Sequence, residues 1–310
     1  MLGPNLIDHL KNLLSDEDLA MDPWRTKPGT FPEILYKYRS FQNHYHLGAL
    51  KERVLYFASP ADFNDPFDSV VAPDLSGSAE NHLRSAYATV NKAFPGVGRR
   101  EQRRRARARV KAARSDPHFA EDFIPDYEQS VQQQFGVFCL AKHPNNILMW
   151  SHYGDHHRGF CIGFDVGKLW LSVLREFKLN MLIKESGLES SAGVIDLHKV
   201  RYNSDVPIFE WFKIKEREAW IRQYEELLVT KADLWAYEQE YRLVWQRGVA
   251  RKLTIPADAI VKVVYGCRSS EEDRQRLADA LHASSVRPRI LLAEKHPHKF
   301  GLVLRDVKSS

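Results

Sequence analysis

Cysteine is scarce in this chain, with three in 310 residues: Cys139, Cys161 and Cys267. Each lies in or beside an apolar strand-like run and none forms a CxxC pair, so a disulfide framework is excluded. They read as small buried hydrophobes in a reducing compartment, and a cytoplasmic protein is expected. No apolar run approaches the roughly 20 residues of a membrane span. The N-terminus (MLGPNLIDHLKNLLSDEDLAMDP) is amphipathic and acid-containing, unlike a signal peptide. No membrane partner is expected. Phosphate loops of the GxxxxGK[ST] and GxGxxG kinds are missing. The GxSxG elbow of serine nucleophiles is missing too, since Ser151 stands between Trp150 and His152. His152 and His156 are spaced i, i+4 with Asp155 and His157 nearby. No Glu stands between them as in HExxH, and Gly154 weakens a helix there, so no metal is assigned.

What remains is ordinary for a globular protein, with 44% hydrophobic and 27% charged residues. That length accommodates one large domain or two small ones. The net charge of +5 is local in origin. Arg99, Arg100, Arg103, Arg104, Arg105, Arg107, Arg109, Lys111 and Arg114 crowd one segment, with Glu101 the one acid among them. Interspersed alanines favour a helix that is cationic around most of its circumference. Such a helix either contacts nucleic-acid phosphates, with Arg103, Arg104, Arg105 and Arg107 as the candidates, or is a solvated face paired with acidic neighbours. No aromatic is interleaved, so single-strand stacking is not indicated.

Along the chain, residues 1–32 form an N-terminal helical extension, with a short helix at 6–14. Residues 33–310 read as a single α+β domain with an Arg-rich helical insertion at about 80–134. Strands are expected at 34–38, 54–58, 135–140, 160–164 and 194–202, and helices at 41–52, 122–134, 169–176 and 209–230. In the helix at 209–230, Trp211, Ile214, Ala219 and Leu227 are candidates for a buried face. A break at Pro95-Gly96 divides the helical region 80–113. The C-terminal part reads strand (259–265), helix capped by Ser270, and strand (290–293), with a last strand at 300–305. The core is one mixed, mostly antiparallel sheet with helical insertions.

Four stretches hold polar residues where apolar ones would serve packing better. They are 35–39 (LYKYR), 63–67 (FNDPF), 150–153 (WSHY) with His156, His157 and Arg158 behind, and 235–242 (WAYEQEYR). In the second, Asn64 or Asp65 can cap neighbouring backbone. In the fourth, strand alternation places Glu238, Glu240 and Arg242 on one face and Tyr237, Gln239, Tyr241 and Leu243 on the other. Two carboxylates at i and i+2 repel unless a cation or ligand hydroxyl lies between them. Arg242 supplies that cation in a structural reading. In a functional one, a Glu orients a sugar hydroxyl or a nucleophile.

In this order the motifs resemble the bacterial family called domain of unknown function 2971. LYKYRS (35–40), LYFASPADFNDPFD (55–68), CLAKHPNNILMWSHYGDHHRGFCIGFD (139–165), WAYEQEYRLV (235–244) and the tail from VVYGCRSS (263–270) carry the likeness, which spans roughly 33–305. More distantly, an Arg ending the first strand, a Ser in a central aromatic-rich stretch and an ExE strand resemble ADP-ribosyltransferases of the Arg-Ser-Glu type. That likeness implies NAD as substrate. Arg39 would hold the pyrophosphate, with Lys37 competing for the role, and Ser151 would shape the nicotinamide pocket. Glu240 would hydrogen-bond the nicotinamide ribose, Glu238 would assist the acceptor nucleophile, and Tyr153 or Trp150 would stack on nicotinamide. His152 joins the catalytic set, and Tyr38, Asn64 and Asp65 the cofactor-binding set. The expectation is an ADP-ribosyltransferase-like enzyme acting on a nucleic-acid or protein acceptor in a defence or toxin context. The alternatives are a nucleic-acid-binding or metal-dependent nuclease-like defence protein without NAD chemistry, and a non-catalytic interaction domain.

Overall fold

The computed structural model describes residues 31–74, 78–94, 96–115, 119–185, 195–209, 223–224 and 226–307. The helix expected at 6–14 and most of the one expected at 209–230, with Trp211, Ile214 and Ala219, lie outside these residues. In chain order the elements begin with β1 (Ile34–Arg39), α1 (His44–Glu52), β2 (Val54–Tyr56), β3 (Ala72–Pro73), α2 (Ala79–Ala93), α3 (Arg99–Ser115) and α4 (Phe119–Gln134). There follow β4 (Phe135–Ala141), α5 (Ile147–His152), β5 (Phe160–Asp165), α6 (Val166–Glu185), β6 (Ile195–Lys199), β7 (Arg201–Asn203), β8 (Ile208–Phe209) and β9 (Thr230–Ala232). A 3-10 segment (Asp233–Glu238) leads into β10 (Glu240–Gln246), β11 (Lys252–Thr254), β12 (Ile260–Tyr265), α7 (Glu271–Ala283), β13 (Arg289–Lys295) and β14 (Leu302–Asp306). No helix among the described residues is long and apolar enough to cross a membrane.

Contacts divide the chain into two compact units. The first comprises Met1–Ser59, Phe135–Val200 and Trp235–Ser310. Its eight-stranded sheet runs β14-β13-β12-β5-β1-β4-β10-β6. Every neighbouring pair is antiparallel except β12 and β13, which α7 joins as a parallel crossover. The fold is therefore α+β on a mixed, mostly antiparallel sheet. The apolar runs FGVFCLA and FCIGFD become β4 and β5 beside β1 because both their faces are covered.

Alternation along β1 defines those faces. Leu35 packs with Phe138, Ile162, Phe164, Leu243 and residues of α1, α6 and α7. Tyr36 and Tyr38 pack on the other side with Ala141, Met149, Trp150, Cys161 and Val264. Each large side chain so buried contributes about 1.5–3 kcal/mol. Lys37 pairs with Ile162 and Arg39 with Phe160, so both cations share the Leu35 face.

The second unit comprises Pro60–Gln134 and Arg201–Leu234. The break at Pro95-Gly96 is present: α2 ends at Ala93 and α3 starts at Arg99, with Ala86, Val90, Ala106 and Val110 forming the seam between them. Tyr127 of α4 packs on Phe209 and Tyr224. Two parallel ribbons, β3-β8 and β7-β9, complete it, and Lys231 pairs with Asp68 at 3.6 Å in the interior.

Two local expectations change. Trp150 and Ser151 lie on a helix, α5, and not on a strand or loop. Glu238 is outside β10, because the 3-10 segment ends there and Gln239 takes a left-handed φ of 44°. That one residue resets the chain direction, so alternation begins only at Glu240.

Candidate functional site

Asn146 builds the first part of the site. Its side-chain oxygen caps α5 by accepting from the backbone N–H groups of Leu148 (2.9 Å) and Met149 (3.3 Å). Its amide donates to the Tyr237 carbonyl at 2.6 Å, fastening the 3-10 segment to the helix start. Trp150 is wholly buried, donates its indole N–H to the Pro144 carbonyl at 2.9 Å and meets Tyr38 edge-on at 5.1 Å. The Tyr38 hydroxyl donates to the His143 carbonyl at 2.6 Å, and burial raises its pKa. Trp150 and Tyr38 are thus anchors of the core, with no ring face left for a ligand.

Beyond α5 the chain doubles back through Asp155, His156 and His157, with φ of 50°, 52° and 69°. Three consecutive non-glycine residues in the left-handed region store strain of the kind that gathers at working sites. His157 N–H to the Trp150 carbonyl (3.1 Å) and Gly159 N–H to the Gly154 carbonyl (2.8 Å) hold the turn closed. Gly159 is required because a methyl group there would collide with the Arg39 carbonyl oxygen. The turn brings His157 Nε2 to 3.2 Å from Ser151 Oγ, which also donates to the Ile147 carbonyl at 2.9 Å. Burial, then Arg268, His156 and Lys295, hold the His157 imidazole below its ordinary pKa. Its Nδ1 is buried without a hydrogen-bond partner, so nothing orients the ring as a base.

The carboxylate of the site is Glu238. It is 3% exposed, and the Tyr153 hydroxyl donates to its Oε1 at 2.7 Å. A set of rings gathers beside it. His152 lies 6.2 Å from both Trp235 and Tyr237 and 6.3 Å from Tyr153, and Trp235 and Tyr237 are 5.9 Å apart. His152 is exposed, while Tyr153, Trp235 and Tyr237 are half-buried. A buried, tyrosine-held carboxylate behind a partly exposed aromatic rim can face a cationic or sugar-like group, with ring faces available for stacking.

The other expected site residues lie elsewhere. Glu240 is engaged by Arg242, whose Nε and Nη2 each donate to it at 3.0 Å in the interior. Beside them, burial and then Glu240 push the Cys139 thiol up to about 12. Arg39 and Lys37 occupy the sheet face opposite Tyr38 and Trp150, so Arg39 does not join Ser151 and Glu240 in one cleft. Asn64 and Asp65 belong to the second unit, where Asp65 accepts from the Phe67 N–H at 3.0 Å. On α3, Arg103, Arg104 and Arg107 are exposed, but Arg104 and Arg105 both pair with Glu101, at 2.6 and 2.9 Å. Arg105 also lies over the Phe94 ring at 4.6 Å. Among the described residues no group of three His, Cys, Asp or Glu is placed to hold a metal.

Strand alternation put Tyr237 on the face away from Glu238 and gave Trp235 no role, so neither ring was expected to face a ligand. Their i, i+2 spacing beside Glu238 was the available clue. The Ser151–His157 pair had none, since it depends on three left-handed residues that no glycine announces.

The chain is thus an α+β protein whose candidate site joins a short capped helix to a 3-10 turn. The family model described as protein of unknown function (DUF2971) matches residues 149–243, which run from the start of MWSHY to the end of EYRL. That stretch is similar to the family and holds His152, Tyr153, Trp235, Tyr237 and Glu238 of the candidate site, while Asn146, LYKYR and FNDPFD fall outside it. No curated protein and no solved structure matches the chain.

Proposed function

We propose that the protein is an ADP-ribosyltransferase-like enzyme that uses NAD, with Glu238 in the role first assigned to Glu240. The observation carrying this reading is the Tyr153–Glu238 hydrogen bond of 2.7 Å beside the His152, Trp235 and Tyr237 rings. In the reaction the bond between nicotinamide nitrogen and ribose C1′ breaks, and its electron pair leaves with nicotinamide. An acceptor oxygen or nitrogen then bonds to C1′ and gives up its proton. The sugar is cationic in between, and a fixed carboxylate behind it stabilises that charge. Tyr153 keeps the carboxylate in one rotamer, and the exposed His152 ring or the half-buried Tyr237 ring holds the leaving ring in line. The acceptor is a nucleic acid or a protein.

Nicotinamide release by purified protein, with and without nucleic acid, tests this. Glu238→Gln keeps the Tyr153 hydrogen bond but loses the charge, and release should fall about 10²-fold or more. Tyr153→Phe should lose less, roughly tenfold. Release undiminished in Glu238→Gln, or neither release nor NAD binding at millimolar NAD, would overturn the proposal.

A second reading, nucleic-acid binding without NAD chemistry, draws on α3. Arg100, Arg103 and Arg107 line one exposed depression and carry no ion pair among the described residues. A protein that binds duplex or single strands with a steep salt dependence yet ignores NAD would favour it.

A further inference from the structure

β1 places two cations on a face otherwise built for packing. Lys37 and Arg39 follow Leu35 at every second position, facing Phe138, Ile162 and Phe160. With His46 of α1 and Arg53, the residue that ends α1, they line a cavity of about 20 Å³ whose other walls are apolar. The Lys37 ammonium lies 4.9 Å above the Phe138 ring.

Neither Lys37 nor Arg39 has a hydrogen bond or ion pair from its side chain among the described residues. Glu238 and Glu240 act on Lys37 only at a distance, and Glu240 is already held by Arg242 on the opposite face. Burial, then Arg39, push Lys37 down to about 8, and burial pushes Arg39 down to about 10. Burial, then Arg39, hold His46 at about 4. His46 Nδ1 is 3.0 Å from the Ser40 carbonyl oxygen and 3.2 Å from its N–H, which fixes the ring against the end of β1.

Lys37 and Arg39 are half-buried, and partly desolvating one cation beside another with no counter-charge is unfavourable. Packing alone would be served better by Leu or Met at 37 and 39. A cluster that is unfavourable when empty becomes favourable when a negative group enters. Three side chains that are cationic at neutral pH, two of them planar forks, match an oxyanion with two negative charges and several oxygens. A carboxylate offers fewer of both.

We propose that Lys37, Arg39, His46 and Arg53 form an anion site for a phosphate group, either inorganic phosphate or the terminal phosphate of a small ester entering end-on. The cavity as it stands holds about one water, so a phosphate seats there only as the half-buried Lys37, Arg39 and Arg53 side chains swing outward around it, and an attached nucleoside stays outside. The site stands on the sheet face away from Glu238 and does not depend on the NAD reading.

Thermal unfolding and calorimetric titration with inorganic phosphate and with adenosine monophosphate, each against sodium chloride of matched ionic strength, test the proposal. Phosphate should raise Tm by about 4 °C or more at saturation, beyond the chloride control. Adenosine monophosphate acting at least as well would identify an ester as the source, and phosphate acting alone would identify the free ion. Arg39→Gln and Lys37→Met should each be at least as stable as wild type in phosphate-free buffer, yet lose most of that shift. Should Arg39→Gln not fold, Lys37→Met and the wild-type His46 ring titration decide, since bound phosphate must raise the His46 pKa. Equal shifts with phosphate and chloride would overturn the site. So would variants that lose stability while wild type ignores phosphate.

Discussion

Glu238 and Glu240 stand two residues apart and do different work. Glu240 accepts two hydrogen bonds from Arg242, and the pair is almost wholly buried. Removing the Glu240 charge deprives the buried Arg242 guanidinium of two charge-assisted hydrogen bonds, so Glu240→Gln should destabilise the fold by about 3 kcal/mol in urea unfolding. Replacing both residues by Leu and Met should recover most of that loss. Activity lost in Glu240→Gln therefore reports folding, whereas Glu238→Gln reports the site. The sequence made the two carboxylates visible but put them on one strand face. A φ of 44° at Gln239, a residue type with no marked preference for it, separates them. The lowered bases also have a pH signature. The folded pKa values of about 8 for Lys37 and about 4 for His46 lie below the ordinary 10.5 and 6.5. The unfolded chain then binds more protons inside each window, so stability rises with pH from about 4 to 6.5 and again from about 8 to 10.5. In equilibrium unfolding across pH, His46→Gln should flatten the first rise and Lys37→Met the second. A variant whose slope matched wild type would remove that residue from the account.

At the level of elements, Asn146 links two pieces of secondary structure with one side chain. Asn146→Ala removes the α5 cap and the bond to the Tyr237 carbonyl together. The cost should be about 1–2 kcal/mol by denaturant unfolding. Nicotinamide release should fall further than that loss explains, because the 3-10 segment carrying Glu238 is freed from the helix carrying Tyr153. Equal activity per folded molecule would show that the two segments need no such link. Elements with strong patterns were legible beforehand: the α2–α3 break at Pro95-Gly96, the Ser270 cap and the apolar strands β4 and β5. The six-residue α5 was not, because WSHYGD has the aromatic content of a strand and its helical state rests on the Asn146 cap and burial of Met149 and Trp150. Two-residue strands such as β3 and β8 are fixed by each other and leave no periodic trace.

Across the whole molecule, the sheet and the arginine-rich helix belong to different compact units, made of segments that alternate along the chain. No change in composition marks the crossings at Ser59, Gln134, Val200 and Leu234: the chain passes directly from α4 into β4 at Gln134, and the crossing at Leu234 falls inside the 3-10 segment. Cationic charge and the Glu238 site are thereby on separate bodies, which lets their roles be separated by mutation. Arg103 and Arg107 are exposed and unpaired among the described residues, whereas Glu101 already engages Arg104 and Arg105. If α3 contacts phosphates, Arg103→Gln with Arg107→Gln should weaken nucleic-acid binding whatever the sequence. The slope of log affinity against log salt should shrink by about 0.9 per arginine on duplex and about 0.7 on single strands. Arg104→Gln should change it less, because Glu101 must first release that side chain. Nicotinamide release without an acceptor should be unchanged in both variants, since neither alters the sheet unit, while release stimulated by nucleic acid should fall with affinity. A salt slope untouched by the double variant would make α3 a solvated face, and the acceptor would then be sought among proteins.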